Sequence, residues 1–185
     1  MSSDNLNIDL QNPEDEPVLF KTKIFDIVEK YQKGRSGKML KRFIVRHPGA
    51  VAILPILPDG RIILIKQYRI AVGQYLYEIP AGTREPHEEP LVTAKRELIE
   101  ETGFHAGSVD LLTTFFTSPG IFREKLYLYL ATNLTPGQAA LEDGEDLTLH
   151  FFNRDEIKKM ILRGEIKDGK TLLALLWDIE PFLKK

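Results

Sequence analysis

A mixed β-sheet packed between α-helices is the fold class this sequence predicts. Three observations carry it. Short apolar or alternating runs recur from Val18 to Phe152, separated by Gly, Pro and Asp turns. One of them, AVAILPIL from Ala50, is continuously apolar and reads as a strand buried on both faces. Helical stretches stand among these runs and after them, at 90–102, 154–164 and 171–183. Strands with interspersed helices predict a sheet covered on two sides.

The elements follow in order. Residues 1–17 are polar and acidic with two prolines, and are expected to form a loose tail. VLFKTKIFDIVEKYQ and MLKRFIVRH flank the turn KGRSGK and predict a small antiparallel strand region over 18–48. The main domain is expected over 49–185. There AVAILPIL and IILIKQYRI are joined by the Asp-Gly turn of PDGR, which predicts a hairpin. YLYEIPAG is a short strand ending in a glycine loop. Pro90 suits the first helical position, Leu91, Ala94 and Leu98 form an apolar stripe, and Gly103 supplies a left-handed cap. Strands follow at VDLLTTFFT, KLYLYLAT and LTLHFF. RDEIKKMILRG and TLLALLWDIEPFL are two further helices, the second with Leu172, Leu173, Leu176 and Trp177 toward the core.

Composition narrows the function. The chain has 185 residues, is 43% hydrophobic and 28% charged, and carries a net charge of −2. That is a folded chain with no global pull toward nucleic acid or an anionic membrane. With no cysteine, disulfides, thiolate metal sites and cysteine nucleophiles are excluded. The N-terminus lacks the basic start and apolar run of a signal peptide, and no apolar stretch is long enough to span a bilayer. A soluble cytoplasmic protein is expected. GEIKDGKT, Gly164 to Thr171, matches a phosphate-loop spacing, but a helix precedes it where the chemistry needs a strand. Asp168 and Gly169 are therefore expected to form a turn, with Thr171 capping the last helix.

The informative stretch is KRELIEETGF, 95–104. It crowds Glu97, Glu100 and Glu101 at the end of a helix where the backbone carbonyls already carry negative charge. At about 100° per residue, the three share an arc of roughly 100°, one turn deep. A solvated acidic face is the plain alternative, but these acids sit at the unfavourable helix end and beside the apolar stripe. A divalent cation resolves both problems, and all-oxygen ligands point to a hard ion such as Mg2+ or Mn2+.

GTREPHEEPLVTAKRELIEETGF, Gly82 to Phe104, resembles the signature of the Nudix hydrolases. Gly82, Glu88, Arg96, Glu97, Leu98, Glu100, Glu101, Gly103 and Phe104 match it in spacing and type. The resemblance implies an α/β/α sandwich with a mixed central sheet, and hydrolysis of a nucleoside diphosphate linked to a further group, with Mg2+ or Mn2+. It implies Glu97 and Glu101 as the main metal ligands, with the Ala81 carbonyl facing the metal and Glu100 close by as ligand or base. Arg96 would hold the carboxylates by charge-assisted hydrogen bonds. Gly82 would allow a tight backbone turn, and Glu88 would support the site from behind.

RHPGAVAILPI, KQYRIAVGQYLYEIPAG and TSPGIFREKLYLYLA are similar to the ADP-ribose pyrophosphatase and nucleotide-sugar branch, as is Pro119, fifteen residues after Phe104. In that branch Arg69 matches the arginine that grips the substrate phosphates. Ser118 and Glu124 match residues near the phosphates and distal sugar. The catalytic base comes from an acidic loop, here ALEDGEDLTL. Glu145 matches best, Glu142 and Asp143 are alternatives, and Glu100 is a rival. ADP-ribose would give AMP and ribose 5-phosphate. The N-terminal strands of this branch often exchange across a homodimer. Phe20, Phe25, Tyr31 and Phe43 are expected as core or interface residues. The alternatives are a Nudix domain that binds ADP-ribose or another nucleotide without hydrolysing it, and a hydrolase of another nucleotide such as GDP-mannose.

Overall fold

The structure, a computed structural model, describes residues 16–140 and 146–179. Its first strands are β1 (Val18–Lys21), β2 (Asp26–Lys33), β3 (Met39–Arg46), β4 (Ala50–Pro55), β5 (Ile62–Arg69), β6 (Gln74–Glu78) and β7 (Ala81–Thr83). Helix α1 (Pro90–Thr102) follows. Then come β8 (Phe104–Phe116), β9 (Phe122–Arg123), β10 (Lys125–Pro136), β11 (Leu147–Phe152), α2 (Arg154–Leu162) and α3 (Gly169–Ile179). The chain divides into two compact units: the part up to His47 with Ser118–Arg123, and Pro48–Thr117 with the part from Glu124 onward.

The first unit is a four-stranded sheet in the order β1-β2-β3-β9, antiparallel except for the parallel pair β3–β9. Glu16, at the end of the expected tail, is 5% exposed and accepts two hydrogen bonds from Arg123, at 3.0 and 2.9 Å, beside Lys30 at 2.6 Å. A buried carboxylate needs such partners to stay charged.

The second unit holds a mixed sheet, β7-β4-β10-β8, in which β4 and β10 run parallel, and an antiparallel sheet, β11-β5-β6. Every residue of β4 is buried. Its side chains alternate between two cores, as the twofold strand period requires. Ala52 and Leu54 pack with Ile157, Ala174 and Leu175 of α2 and α3. Val51 and Ile53 pack with Ala94 and Leu98 of α1. The sheet is therefore covered on both faces, and the described helices are α1 on one side and α2 with α3 on the other.

Three sequence expectations change here. The Asp-Gly turn forms, with the Gly60 amide bonded to the Leu57 carbonyl at 2.9 Å and the bridge Ile56–Ile62 beside it, but β4 and β5 themselves enter different sheets. β4 finds its partners in β10 and β7, which long-range pairing alone decides. The cap of α3 is Asp168, whose carboxylate accepts from the Thr171 amide at 3.0 Å; Thr171 sits three residues inside. In α3 the buried positions are Thr171, Ala174, Leu175 and Asp178, while Leu176 is exposed. Asp178 is buried because Arg154 forks onto it at 2.7 and 3.1 Å.

Candidate active site

Helix α1 begins at Pro90 and ends at Gly103, whose φ of 73° is left-handed and whose amide bonds to Ile99 O at 2.7 Å. Its terminal carbonyls are not left bare. The Ala140 amide donates to Glu100 O at 3.1 Å and the Gly137 amide to Gly103 O at 2.6 Å. These bonds offset part of the penalty for placing acids there. The buried face of α1 is Thr93, Ala94, Glu97, Leu98, Glu101 and Thr102, whereas Leu91, in the first turn, is exposed. The apolar stripe thus gives way to carboxylates toward the C-terminus.

Glu97 is 8% and Glu101 3% exposed. Both abut the start of β7. The Ala81 amide donates to Glu101 Oε2 at 2.9 Å. Gly82 lies against Glu97 so closely that a Cβ on it would stand 2.0 Å from Glu97 Cδ. The glycine is therefore required by the carboxylate, not by a backbone turn. Arg96 joins the remaining acids. Its Nη1 lies 2.8 Å from Glu97 Oε1 and 2.7 Å from Glu100 Oε2, and its Nε and Nη2 each donate to Glu88 at 3.1 Å.

The Arg96 hydrogen bonds hold the Glu88 carboxyl down to about 2, against an upward push from burial, with Thr93 and the Glu85 amide assisting. Glu88 in turn leads the contacts that raise Arg96 above its ordinary value. A carboxyl depressed in the folded state contributes stability above its unfolded pKa and loses it as the pH falls through the folded value. For Glu88 that window runs from 4.5 down to about 2. Urea unfolding across it should show stability falling with pH, and Glu88→Gln should flatten the slope. Equal slopes in the two proteins would count against the pairing.

Arg69, at the end of β5, forks onto Glu78 of β6. Nε donates to Oε1 at 2.7 Å and Nη2 to Oε2 at 2.8 Å. Lys170 of α3 also donates to Glu78 Oε2. Burial pushes Glu78 up, but Arg69 and Lys170 outweigh it and hold the carboxyl below its ordinary value. Arg69 is raised first by Glu78, with Glu101 and Asp168 adding to the field. Of the α1 carboxylates, Glu101 thus acts on the guanidinium through its field.

The other sequence-predicted residues make local contacts. Glu124 accepts from Thr117 Oγ1 at 2.7 Å. Ser118 belongs to the first unit, where its carbonyl accepts from the Ile121 and Phe122 amides at 3.1 and 2.8 Å. Glu142, Asp143 and Glu145 lie outside the described residues. Glu78 and Lys170 were not singled out from the sequence; the signal for Glu78 was its place in YLYEIPAG, between Arg69 and Gly82.

The donor set fits a hard divalent cation. Glu88, Glu97 and Glu100 gather around one guanidinium, Arg96, and Glu101 is buried against the Ala81 amide, so these acids outnumber the cation among them. Among the described residues no three acid or histidine side chains converge tightly enough to enclose an ion by themselves. No helix of the described residues is long and apolar enough to cross a membrane.

Comparisons with known proteins identify the family. The chain is 37% identical over 159 residues to an ADP-ribose pyrophosphatase of Bacillus subtilis (strain 168), covering 85% of this chain and 86% of the relative. It is 41% identical over 142 residues to a methanol dehydrogenase activator of Bacillus methanolicus, covering 76% and 77%. It is 34% identical over 140 residues to a GDP-mannose pyrophosphatase of Escherichia coli O1:K1 / APEC, covering 70% and 72%. A crystal structure of an ADP compounds hydrolase shares the fold, with a TM-score of 0.74 at 22% identity, over 89% of this chain and 90% of that one. The family profile described as NUDIX domain matches residues 46–175, and the chain belongs to the Nudix family.

Proposed function

We propose that this chain hydrolyses the diphosphate linkage of ADP-ribose or a related nucleoside diphosphate sugar, releasing a nucleoside monophosphate and a sugar phosphate. The chain is a Nudix enzyme, and nucleoside diphosphate sugar hydrolysis is the activity its relatives support. The observation that carries the reading is the pair Glu97 and Glu101, buried side by side against Ala81 and Gly82, with Arg69 in the field of Glu101.

Nudix hydrolases use divalent metal ions. Here Glu97 and Glu101 would hold Mg2+ or Mn2+, with Glu100 and the Ala81 carbonyl beside them. When bound, the ion neutralises diphosphate charge and makes a coordinated water more acidic. The protein does the rest. Arg96 holds Glu97 and Glu100 in place by charge-assisted contacts. Arg69 grips the substrate phosphates, with Ser118 and Glu124 toward the phosphates and distal sugar. A carboxylate takes the proton from the attacking water. Glu145 is the base we favour, with Glu142 and Asp143 as alternatives in its loop. Glu100, which already bonds to Arg96, is its rival.

The panel of ADP-ribose, other ADP-sugars and GDP-mannose, compared by kcat/KM, tests this reading. ADP-ribose is expected to lead. No turnover of any of them, with tight binding of ADP-ribose, would instead favour a nucleotide-binding domain. The 41% identity to a dehydrogenase activator favours a second reading, in which the chain raises the turnover of a dehydrogenase. Adding it to such an enzyme, with and without Glu97→Gln, tests whether that effect uses the same site.

A homodimer belongs to the proposal. The N-terminal sheet exposes Phe20, Tyr31, Met39 and Phe43. Apolar side chains gathered on one sheet face are characteristic of association surfaces. Sedimentation of a monomer at micromolar concentration would remove this part. A cytoplasmic location also goes with the reading, and recovery in a membrane pellet would count against it.

A further inference from the structure

The last four residues of GEIKDGKT build a connected polar group at the start of α3. Asp168 Oδ2 accepts from the Thr171 amide at 3.0 Å, from Thr171 Oγ1 at 2.6 Å and from Lys170 Nζ at 3.1 Å. Thr171 Oγ1 in turn accepts from the Ile79 amide at 2.9 Å, which ties the first turn of α3 to the end of β6. From that anchor Lys170 donates to Glu78 Oε2, and Glu78 receives Arg69 on both oxygens.

We propose that Glu78 and Lys170 are positioning residues: they fix the Arg69 guanidinium so that its outer edge faces the substrate diphosphate. This rests on the reading of Arg69 as the residue that grips the phosphates. A guanidinium has five N–H groups in a rigid fork. Glu78 engages Nε and Nη2 from the side. That leaves both protons of Nη1 and the second proton of Nη2, and one from each nitrogen forms the end-on pair that matches two phosphate oxygens. The side-on clamp thus orients the arginine and still leaves its phosphate-binding edge to use.

Lys170 is needed because Glu78 is 1% exposed. A carboxylate so buried must be fully compensated, or it loses its charge or draws other groups toward itself. With Lys170 and Arg69 opposite Glu78 and Asp168, the group is neutral, two charges against two. Without Lys170 it would carry an extra negative charge, and Arg69 would be held more tightly inward, at the expense of the phosphate. A merely structural network would show in the melting temperature alone. A positioning network also shows in substrate affinity, and only while Arg69 is present.

The test measures calorimetric affinity for the α,β-methylene analogue of ADP-ribose with Mg2+, and kcat and KM for ADP-ribose. The variants are Arg69→Ala, Lys170→Met and the double variant. Arg69→Ala should weaken analogue binding by about tenfold or more, the scale of one lost charge-assisted contact. Lys170→Met should weaken it severalfold, with KM moving more than kcat. The double variant should bind no more weakly than Arg69→Ala, because Lys170 acts through Arg69. Unchanged binding in Lys170→Met, or a loss that adds in full to that of Arg69→Ala, would overturn the inference while leaving Arg69 its role. Unchanged binding in Arg69→Ala would overturn the reading of Arg69 itself, and the inference with it. If Lys170→Met does not fold, Glu78→Gln takes its place under the same comparison.

Discussion

Glu97→Gln should lower kcat for ADP-ribose by about a thousandfold or more, the scale at which a single electrostatic group in a catalytic site is lost. The substitution keeps the shape of the side chain and removes its charge. It should not unfold the protein. Glu97 and Glu101 are like charges one turn apart on a helix, an arrangement that destabilises, and removing one relieves it. The lost contact to Arg96 Nη1, 2.8 Å in the wild type, acts in the opposite direction. The melting temperature should therefore stay within a few degrees, since roughly 0.5 kcal/mol of relief opposes a comparable loss. Loss of activity with the fold intact is the signature of a group retained for function at some cost in stability. A steady-state assay of AMP release beside a calorimetric melt gives both numbers. Full activity in this variant would remove Glu97 from the site.

Gly82→Ala should cost about a hundredfold in kcat/KM, the scale of an ångström of misplacement in a catalytic group. A Cβ there would stand 2.0 Å from Glu97 Cδ and 2.1 Å from Oε1, so the carboxylate must leave its place. β7 is three residues long and pairs with the fully buried β4, which leaves the backbone little room to yield instead. The two substitutions strike the same atom group. The double variant Gly82→Ala/Glu97→Gln should be about as impaired as Glu97→Gln alone. A loss in the double variant equal to the product of the single losses would show that Gly82 matters for some reason other than Glu97.

The acidic helix was legible in the sequence because its information is local. Pro90, Gly103 and the three glutamates lie within fourteen positions, and spacing alone places the acids on one arc of a helix. The layered fold was legible for a similar reason, since AVAILPIL reads as a strand covered on both faces. What was not legible depends on partners distant in sequence. An Asp-Gly turn between two apolar strands looks like a hairpin, and only the pairing of β4 with β10, more than seventy residues on, sends β4 and β5 into different sheets. Asp168 could be recognised as a turn residue, yet as the cap of α3 it competes with Thr171, and the register of the helix start decides between them. Leu91 fits the apolar period of α1, but it lies in the first turn, beyond the core that Ala94 and Leu98 enter. Glu78 is the clearest case. Its place in YLYEIPAG marks the residue but not its burial, because the two cations that make burial tolerable come from Arg69 and, ninety-two positions away, Lys170.

One measurement bears most directly on the account: purified protein, ADP-ribose and saturating Mg2+ or Mn2+, with the products separated and quantified. Equal amounts of AMP and ribose 5-phosphate are expected, formed with repeated turnover. Tight binding of ADP-ribose with no AMP released in either metal would contradict it.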